Sequence, residues 1–525
     1  MNRMSGITPD LLKAALIACL LTAFSFSVQG NIGLNLADEG RLWYNTTRTA
    51  VGEIPRLDFR SYDPARLYWT AAWSFLLGDG IMSLRLSIAV FQALGLIFGL
   101  MVLKRIIPSW RGLFLVGILL LIWMFPRHKL FEHSLAMAGV YFAVFLIEKP
   151  NIGRHFTVGI FVGLAAFFGR NHGFYNFLSF SLLLSFIWYR TGGDDLTRRA
   201  IAWAGGIAVG YAPMVVMFFL IPGLFDKFFS NILSIIHRGS TNLPLPVPWP
   251  WSANLQGMDL ASIFEHVSTG MIFLILPLYY LFSGAIIYKQ FRSEDLLRYA
   301  PFVASVFVGA TYMHHAFARP DISHLAQGIH PFLIGVISLP FLCSQSCSKI
   351  MTFGLLVAVG ALSLFSAVTA SPYYLKLTSS KDAFVMTHIS GDDLWVEKPI
   401  EEVITTAILI NTQKMRAGEG LFIAPDWPGL YPILGRKSPT WDTYFLWKSS
   451  KDDQLQMISD LNSHNVNGVL LGDVAFDGRD DLRFENTHTL LWQYIMRHFE
   501  PVPTDGLPPN YQFLRRKGSA NRGLI

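Results

Sequence analysis

Leu94-Gly95-Leu96-Ile97-Phe98-Gly99-Leu100-Met101-Val102-Leu103 closes an apolar run that opens near residue 82 and carries a single charge, Arg85. A helix needs about 20 mostly apolar residues to cross the hydrocarbon core of a bilayer, and this run supplies them. Comparable runs lie at about 11–29, 111–126, 131–147, 154–169, 174–189, 200–221, 267–288, 299–317, 325–343 and 350–370. The pattern predicts an all-α polytopic membrane protein with about eleven transmembrane helices. The first run is read as a retained anchor, because no small-x-small cleavage site follows Val28-Gln29-Gly30.

Composition points the same way. Of the 525 residues 52% are hydrophobic, 15% are charged and 42 are Phe. A soluble chain carries about 25% charged residues, so this one has too little polar surface to cover itself. Residues 1–374 hold 26 Lys+Arg against 17 Asp+Glu, a net +9, and residues 375–525 hold 16 against 19, a net −3. The sequence therefore divides into a membrane domain at 1–374, with outer loops at about 31–80 and 222–266, and a soluble domain at 375–525. The overall +6 belongs to membrane loops and is no nucleic-acid footprint. Disorder, collagen and a disulfide scaffold are excluded by the same composition, which includes only 3 Cys.

Orientation follows from the excess of Lys and Arg in cytoplasmic loops. With the N-terminus inside, the inner segments hold Arg3, Lys13, Lys104, Arg105, Arg111, Lys149, Arg154, Arg190, Arg198, Arg199, Lys289, Arg292, Arg298 and Lys349. The short outer loops hold only Arg127, Lys129, Arg170 and Arg319. Eleven crossings would then put the C-terminal domain outside. Cys19 falls in the first span and Cys343 and Cys347 at an inner helix end, so no outer disulfide is expected.

The unusual polar residues gather on the outer side. Asp38-Glu39-Gly40-Arg41 follows the first span, Gly169-Arg170-Asn171-His172-Gly173 joins two spans, and His314-His315 with Arg319-Pro320-Asp321-Ile322-Ser323-His324 joins two more. Ionisable groups at membrane depth are costly and point to function. Each cluster also has a structural reading. Asp38 and Glu39 suit an N-cap and first-turn acid pair for a helix over 42–50. Arg170 and His172 suit lipid headgroups, and His314 and His315 suit satisfied interfacial histidines. Pro320 drives Arg319 out of helical geometry, which makes Asp321 an N-cap for the next helix. Arg319 and His324 beside that helix start suit a phosphate.

The first outer loop runs Ala37-Asp38-Glu39-Gly40-Arg41-Leu42-Trp43-Tyr44, then Tyr62-Asp63-Pro64-Ala65-Arg66-Leu67-Tyr68-Trp69, and ends in Ser83-Leu84-Arg85-Leu86-Ser87. This order resembles the polytopic GT-C glycosyltransferases, and within them the branch of aminoarabinose–lipid A transferases and protein O-mannosyltransferases. The likeness is detailed over about residues 10–110. It implies an inverting glycosyltransferase that draws on a polyprenyl-phosphate sugar donor and a lipid, glycan or protein acceptor. It assigns the catalytic carboxylate to Asp38, a supporting acid to Glu39 and donor-phosphate contact to Arg41. The aminoarabinose branch has Glu-Lys-Pro-Pro where this chain has Tyr62-Asp63-Pro64-Ala65. Its phosphate-binding lysine is absent, and Arg60 or Arg66 is the candidate replacement. Arg170, His172, Arg319 and His324 are expected to complete the donor site, with Tyr62, Asp63, His315 and Asp321 as acceptor or supporting residues.

The chemistry suits these residue types. A lipid-linked sugar already carries a good leaving group, so no nucleotide-binding loop is needed, and none is evident. No cofactor is required by the sequence; a divalent metal is an open possibility, since Asp38, Glu39, His314, His315 and His324 are of suitable type but lack tight spacing. The expected location is a bacterial inner membrane, with the site and the C-terminal domain on the periplasmic side. The rival reading is a polytopic transporter or lipid flippase, which would place charges nearer the bilayer midplane and show paired repeats.

Two further segments carry signals. Thr241-Asn242-Leu243-Pro244-Leu245-Pro246-Val247-Pro248-Trp249-Pro250-Trp251 is too rich in Pro for a helix and should be extended. The last 150 or so residues read as a small α/β unit. Its helices are expected at 401–415 and about 488–498, and its strands at 420–424, 466–471 and 511–515. Its aromatics Trp427, Tyr431, Trp441, Tyr444 and Trp447 are read as core before carbohydrate platform.

Overall fold

The structure is a computed structural model that describes residues 9–191, 195–239, 242–252, 258–290, 299–342 and 345–518. Arg3, Arg292, Arg298 and Cys343 lie outside the described residues. The chain forms two compact units, one of Met1–Gln29, Asp63–Arg66 and Leu86–Leu375, the other of Gly30–Tyr62, Leu67–Arg85 and Lys376–Ile525.

The first unit is helical. Among the described residues five helices are long and apolar enough to cross a membrane: Pro9–Gln29, Ile81–Leu103, Arg127–Glu148, Leu196–Leu220 and Ser262–Lys289. Two bent pairs, Ile322–Gly328 with His330–Phe341 and Phe353–Val368 with Pro372–Thr378, bring the number to seven at most. The expected eleven is corrected accordingly, and the shortfall has physical causes. The runs at 111–126 and 154–169 form helices of only 13 and 17 residues. Those at 174–189 and 299–317 lie in helices that carry Asn176, Ser179 and His172, or His314 and His315, which lower their hydropathy. The run at 325–343 is bent by 58°.

Packing in this unit uses small residues and buried polar pins. A Cβ on Gly206 would lie 2.9 Å from Gly159 Cα, and one on Gly163 would meet the Gly210 carbonyl carbon at 2.8 Å. The helices Ile152–Phe168 and Leu196–Leu220 thus touch backbone to backbone, as membrane helices do at stripes of small residues. Elsewhere Asn176 Nδ2 donates to the Tyr312 hydroxyl at 3.1 Å and Trp123 Nε1 to Ser363 Oγ at 2.7 Å. Residues 243–249 form neither helix nor strand, with Trp249 N donating to Val247 O at 2.8 Å, and Trp249 stacks on Trp251 with ring centroids 5.7 Å apart. The same long loop, expected at about 222–266, holds a helix, Leu224–Arg238, that the sequence reading lacks.

The second unit carries the six strands found among the described residues: β1 (Phe384–Ile389), β2 (Asp392–Glu397), β3 (Gly420–Ala424), β4 (Val466–Gly472), β5 (Phe499–Pro501) and β6 (Tyr511–Arg516). β1 and β2 form an antiparallel hairpin. The other four make a sheet in the order β3-β4-β6-β5, parallel between β3 and β4 and antiparallel elsewhere. Val466-Asn467-Gly468-Val469-Leu470-Leu471 is an inner strand, which is why its residues are apolar almost without alternation. Phe422, Val469, Leu471 and Leu514 pack with Leu461, Leu491 and Ile495 from the helices Lys451–Ser463 and Thr489–His498. The hairpin β1–β2 and the helix over 451–463 are additions to the three strands and two helices expected. The helices Asp38–Ala50 and Pro64–Leu77 complete the outer-loop segment; residues 64–66 of the latter group with the first unit and 67–77 with the second.

The glycine contact yields a direct test. Gly206→Val should prevent the close approach of its helix to Ile152–Phe168, because a side chain there has only backbone in front of it. Overpacking of this kind costs about 1–3 kcal/mol or more. A lowered midpoint in thermal unfolding of the detergent-solubilised protein is expected, and an unchanged midpoint would refute the backbone contact.

Candidate functional site

The outer-loop segment opens with a helix whose cap comes from outside the helix. Asn35 Oδ1 accepts from Ala37 N at 2.9 Å and from Asp38 N at 2.8 Å, and Asn35 O accepts from Gly40 N at 2.8 Å. Asn35 thereby satisfies first-turn N–H groups, so the Asp38 carboxylate is not the helix cap and stays half-exposed.

Glu39 turns the other way. Arg85 Nε donates to its Oε1 at 2.9 Å and Nη2 to its Oε2 at 2.8 Å, while Arg85 also donates to the carbonyls of Gly30 at 2.9 Å and Gly33 at 2.7 Å. Both side chains are fully enclosed, at 3% and 1% exposure. This bidentate pair occupies the acid that the sequence offered as a second catalytic group, and fixes the start of the Asp38–Ala50 helix.

Arg41, one helical turn beyond Asp38, is 8% exposed. Its guanidinium carbon sits 5.4 Å from the ring centre of Tyr62 and 5.6 Å from that of Tyr444. Its Nε is buried with no hydrogen-bond partner. A buried cationic N–H without an acceptor is costly, so this group is set for an anion. The nearby carboxylate Asp442 is spoken for: burial pushes its pKa up, but Arg60, which forms an ion pair with it, and Arg41 outweigh burial and hold it below the ordinary value.

Two glycines bring a further acid here. A Cβ on Gly40 would lie 2.6 Å from Gly429 Cα, and one on Gly429 would lie 2.9 Å from Gly40 Cα. Gly429 N donates to Leu36 O at 2.9 Å. The turn after β3, Pro425-Asp426-Trp427-Pro428, is thus pressed against the start of the Asp38–Ala50 helix. Burial raises the pKa of Asp426 to about 6; a hydrogen bond from the Tyr511 hydroxyl opposes the rise and the charge of Asp38 adds to it. Tyr511 also stacks flat on Trp427 with ring centroids 3.6 Å apart. The Tyr444 hydroxyl is held in its neutral form by burial first, then by Asp38 and Asp426.

Of the residues expected from sequence, Asp38, Glu39, Arg41 and Tyr62 fall in this unit. Asp63, Arg66, Arg170, His172, His315, Arg319, Asp321 and His324 fall in the other. There, Arg170 N and Nε reach Asp63 at 2.9 and 3.0 Å, and Arg170 Nη1 is buried without a hydrogen bond. Arg66 is taken up by Glu132 at 2.9 Å and by Phe168 O at 3.0 Å. His172 Nδ1 lies 3.3 Å from the Tyr312 hydroxyl, and His315 Nε2 lies 3.0 Å from Gln327 Oε1. Asp321 does cap the following helix, accepting from His324 N at 2.8 Å. Its oxygens also hold Arg319 Nε at 3.0 Å and His324 Nδ1 at 2.9 Å, so the charges expected to bind phosphate are partly met from within. Among the described residues no group of three or more His, Cys, Asp or Glu is placed to hold a metal ion.

Sequence reading missed Asp426, Asp442 and Glu132 as members of these clusters. The only trace of Asp426 was the Pro-Asp-Trp-Pro turn that closes β3. No protein-family model and no curated protein sequence matches the chain. Solved structures do share its fold. ArnT from Cupriavidus metallidurans bound to undecaprenyl phosphate aligns with a TM-score of 0.55 at 12% identity, over 97% of this chain and 98% of that chain. Its apo form aligns with a TM-score of 0.53 at 12% identity, over 96% and 97%. The oligosaccharyltransferase of Archaeoglobus fulgidus aligns more loosely, with a TM-score of 0.46 over 95% of this chain and 75% of that one.

The enclosed pair makes a sharp prediction. Glu39→Gln leaves the Arg85 charge buried beside two carbonyls and an uncharged amide, and removing one partner of such a pair costs about 3–5 kcal/mol. Thermal unfolding in detergent should show a clearly lowered midpoint for Glu39→Gln and little change for Asp38→Asn. Equal midpoints for the two variants would show that the pair does not hold this segment.

Proposed function

We propose that this chain is an integral membrane glycosyltransferase that moves one sugar from a polyprenyl-phosphate donor to an acceptor hydroxyl. We place the reaction at the outer, periplasmic face of a bacterial inner membrane, where the C-terminal domain also resides. The observation that carries the reading is Arg41, a buried guanidinium with an open Nε one helical turn from the half-exposed carboxylate of Asp38. The shared fold with a protein whose structure holds undecaprenyl phosphate supports it.

In this reading Asp38 takes the proton of the acceptor hydroxyl as the oxygen attacks the anomeric carbon. The bond from that carbon to the phosphate oxygen breaks, its electron pair leaves with polyprenyl phosphate, and configuration inverts. Arg41 stabilises the phosphate charge as it develops, and the aromatic rings that flank the guanidinium keep it desolvated and strong. Glu39 serves by position, holding the helix start through Arg85. In the membrane unit Arg170, with its open Nη1, is the basic residue best prepared for an anion. Arg66, His172, Arg319 and His324 are already engaged, and with Asp63, His315 and Asp321 they shape that unit.

The test compares purified wild type with Asp38→Asn and Arg41→Ala, supplied with polyprenyl-phosphate sugars and a membrane extract as acceptor source. Free polyprenyl phosphate is followed by mass spectrometry. Wild type should release it, Asp38→Asn should lose release while keeping its melting temperature, and Arg41→Ala should slow it by about 10²–10³, as when one charge-stabilising donor is removed. Equal release by wild type and Asp38→Asn would remove Asp38 from the chemistry. No release from any donor, with labelled lipid moved across liposomes, would turn the assignment to transport.

A further inference from the structure

The turn after β3 reaches the Asp38 helix through a backbone contact, and the residue it delivers is acidic. Gly40 and Gly429 meet with no room for a Cβ on either, and Gly429 N is tied to Leu36 O. Asp426, three residues before Gly429, is anchored by the Tyr511 hydroxyl at 2.5 Å, and Tyr511 is itself clamped on Trp427. The groups facing Asp426 are few: Asp38, with Arg41 nearby, from the helix; Tyr444, beside Asp442, from the segment after Gly429; and Tyr511 from β6. Asp442 is neutralised by Arg60, and Arg41 keeps an open Nε. Asp38 and Asp426 are therefore two carboxylates brought together with no cation assigned to the second. A carboxylate used only for structure gains nothing from such a neighbour, because like charges at close range destabilise each other.

We propose that Asp426 is a positioning residue for the base, forming with Asp38 a coupled carboxylate pair in which its negative charge raises the proton affinity of Asp38. The inference rests on the transferase reading and deepens it. With both groups ionised, the pair is poised to accept one proton, and taking it from the acceptor hydroxyl relieves the repulsion. The proton passes from the acceptor oxygen to Asp38, the new bond forms at the anomeric carbon, and polyprenyl phosphate departs with the electrons of the broken bond. The pair then returns its proton to solvent. A lone, well-hydrated carboxylate is a weak base for an alcohol, and a neighbour that lifts its proton affinity improves the match. Such pairs titrate as a unit, so the acid limb of the rate profile belongs to both groups. Burial already lifts Asp426 to about 6, and the hydrogen bond from Tyr511 opposes the rise.

The signs make the proposal testable. Activity requires the ionised pair, so it falls as pH drops through the limb. Asp426→Asn removes the repulsion: the limb moves to lower pH, and the plateau kcat falls about three- to tenfold because a less basic Asp38 is a poorer proton acceptor. KM for the donor stays the same. Tyr511→Phe keeps the stack on Trp427 but removes the hydrogen bond that favours ionised Asp426, so the limb moves the opposite way. A role in folding alone would lower activity in both variants without moving their limbs in opposite directions. An unmoved limb in Asp426→Asn overturns the proposal.

A second measurement needs no turnover. Infrared titration of carboxyl groups in the substrate-free full-length protein, with EDTA present, should show one group titrating near pH 6 in wild type. That band should vanish in Asp426→Asn and move down in Asp38→Asn. If it is unmoved in Asp38→Asn, the two carboxylates are not coupled and the proposal fails even where transfer is observed. If coupling is present but wild type releases no polyprenyl phosphate from any donor, the transferase reading fails and the role in the base falls with it.

Discussion

The segment that follows the first helix depends on a buried charge pair. Arg85 spends four hydrogen bonds on Glu39, Gly30 and Gly33, and Glu39 spends both of its oxygens on Arg85. Removing either partner would strand a full charge in a dry site. The pair therefore ties the residues just after the first helix, the start of the Asp38–Ala50 helix and Arg85 into a single arrangement. The adjacent residue inherits the result: with Glu39 held by Arg85 and Asn35 meeting the first-turn N–H groups, Asp38 is half-buried and does not cap the helix. An acidic dipeptide that looks like two equivalent groups in the sequence becomes one anchor and one half-buried carboxylate.

The same economy runs through the membrane unit. Arg66 answers Glu132, Arg170 answers Asp63, and Asp321 answers both Arg319 and His324. Charges in apolar surroundings persist only when paired, and most of those in this unit are. Arg170 keeps Nη1 buried and open despite its pairing, as Arg199 keeps Nε in the same unit and Arg41 keeps Nε in the other. An arginine whose fork is incompletely used can accept an anion, and Arg41 and Arg170 combine that feature with a place among the site residues expected from sequence.

Much of the fold was legible. Length and composition gave the helical membrane unit, and the strands at 420–424, 466–471 and 511–515 were visible as apolar runs between turn residues. Counting spans failed where helices are short, carry buried polar residues or bend, because a hydropathy run measures neither helix length nor direction. The strong alternation needed to see β1 and β2 is absent, since His388, Asp392 and Asp393 crowd the hairpin. At the site the sequence singled out Asp38 and Arg41 but could not separate Asp38 from Glu39, since only the position of Arg85 does that. Asp426 was out of reach for a different reason. Its relation to Asp38 runs through two glycines at opposite ends of the chain, and a glycine carries no side chain that reports the contact it makes possible.

That contact explains why the acid comes from the C-terminal segment. A second carboxylate on the Asp38 helix itself could point the same way only at the next turn, where Arg41 is the cation of the proposed mechanism and Leu42 is fully buried. A group from another element escapes this limit, provided its backbone can come close enough. Gly40 and Gly429 provide that closeness, and Tyr511, braced on Trp427, sets the direction of the carboxylate once it arrives. The C-terminal domain is then more than a cover for the outer loop. Its sheet supplies β3, whose end launches the Asp426 turn, and β6, whose first residue holds it, so the order β3-β4-β6 fixes the spacing at which the two carboxylates meet.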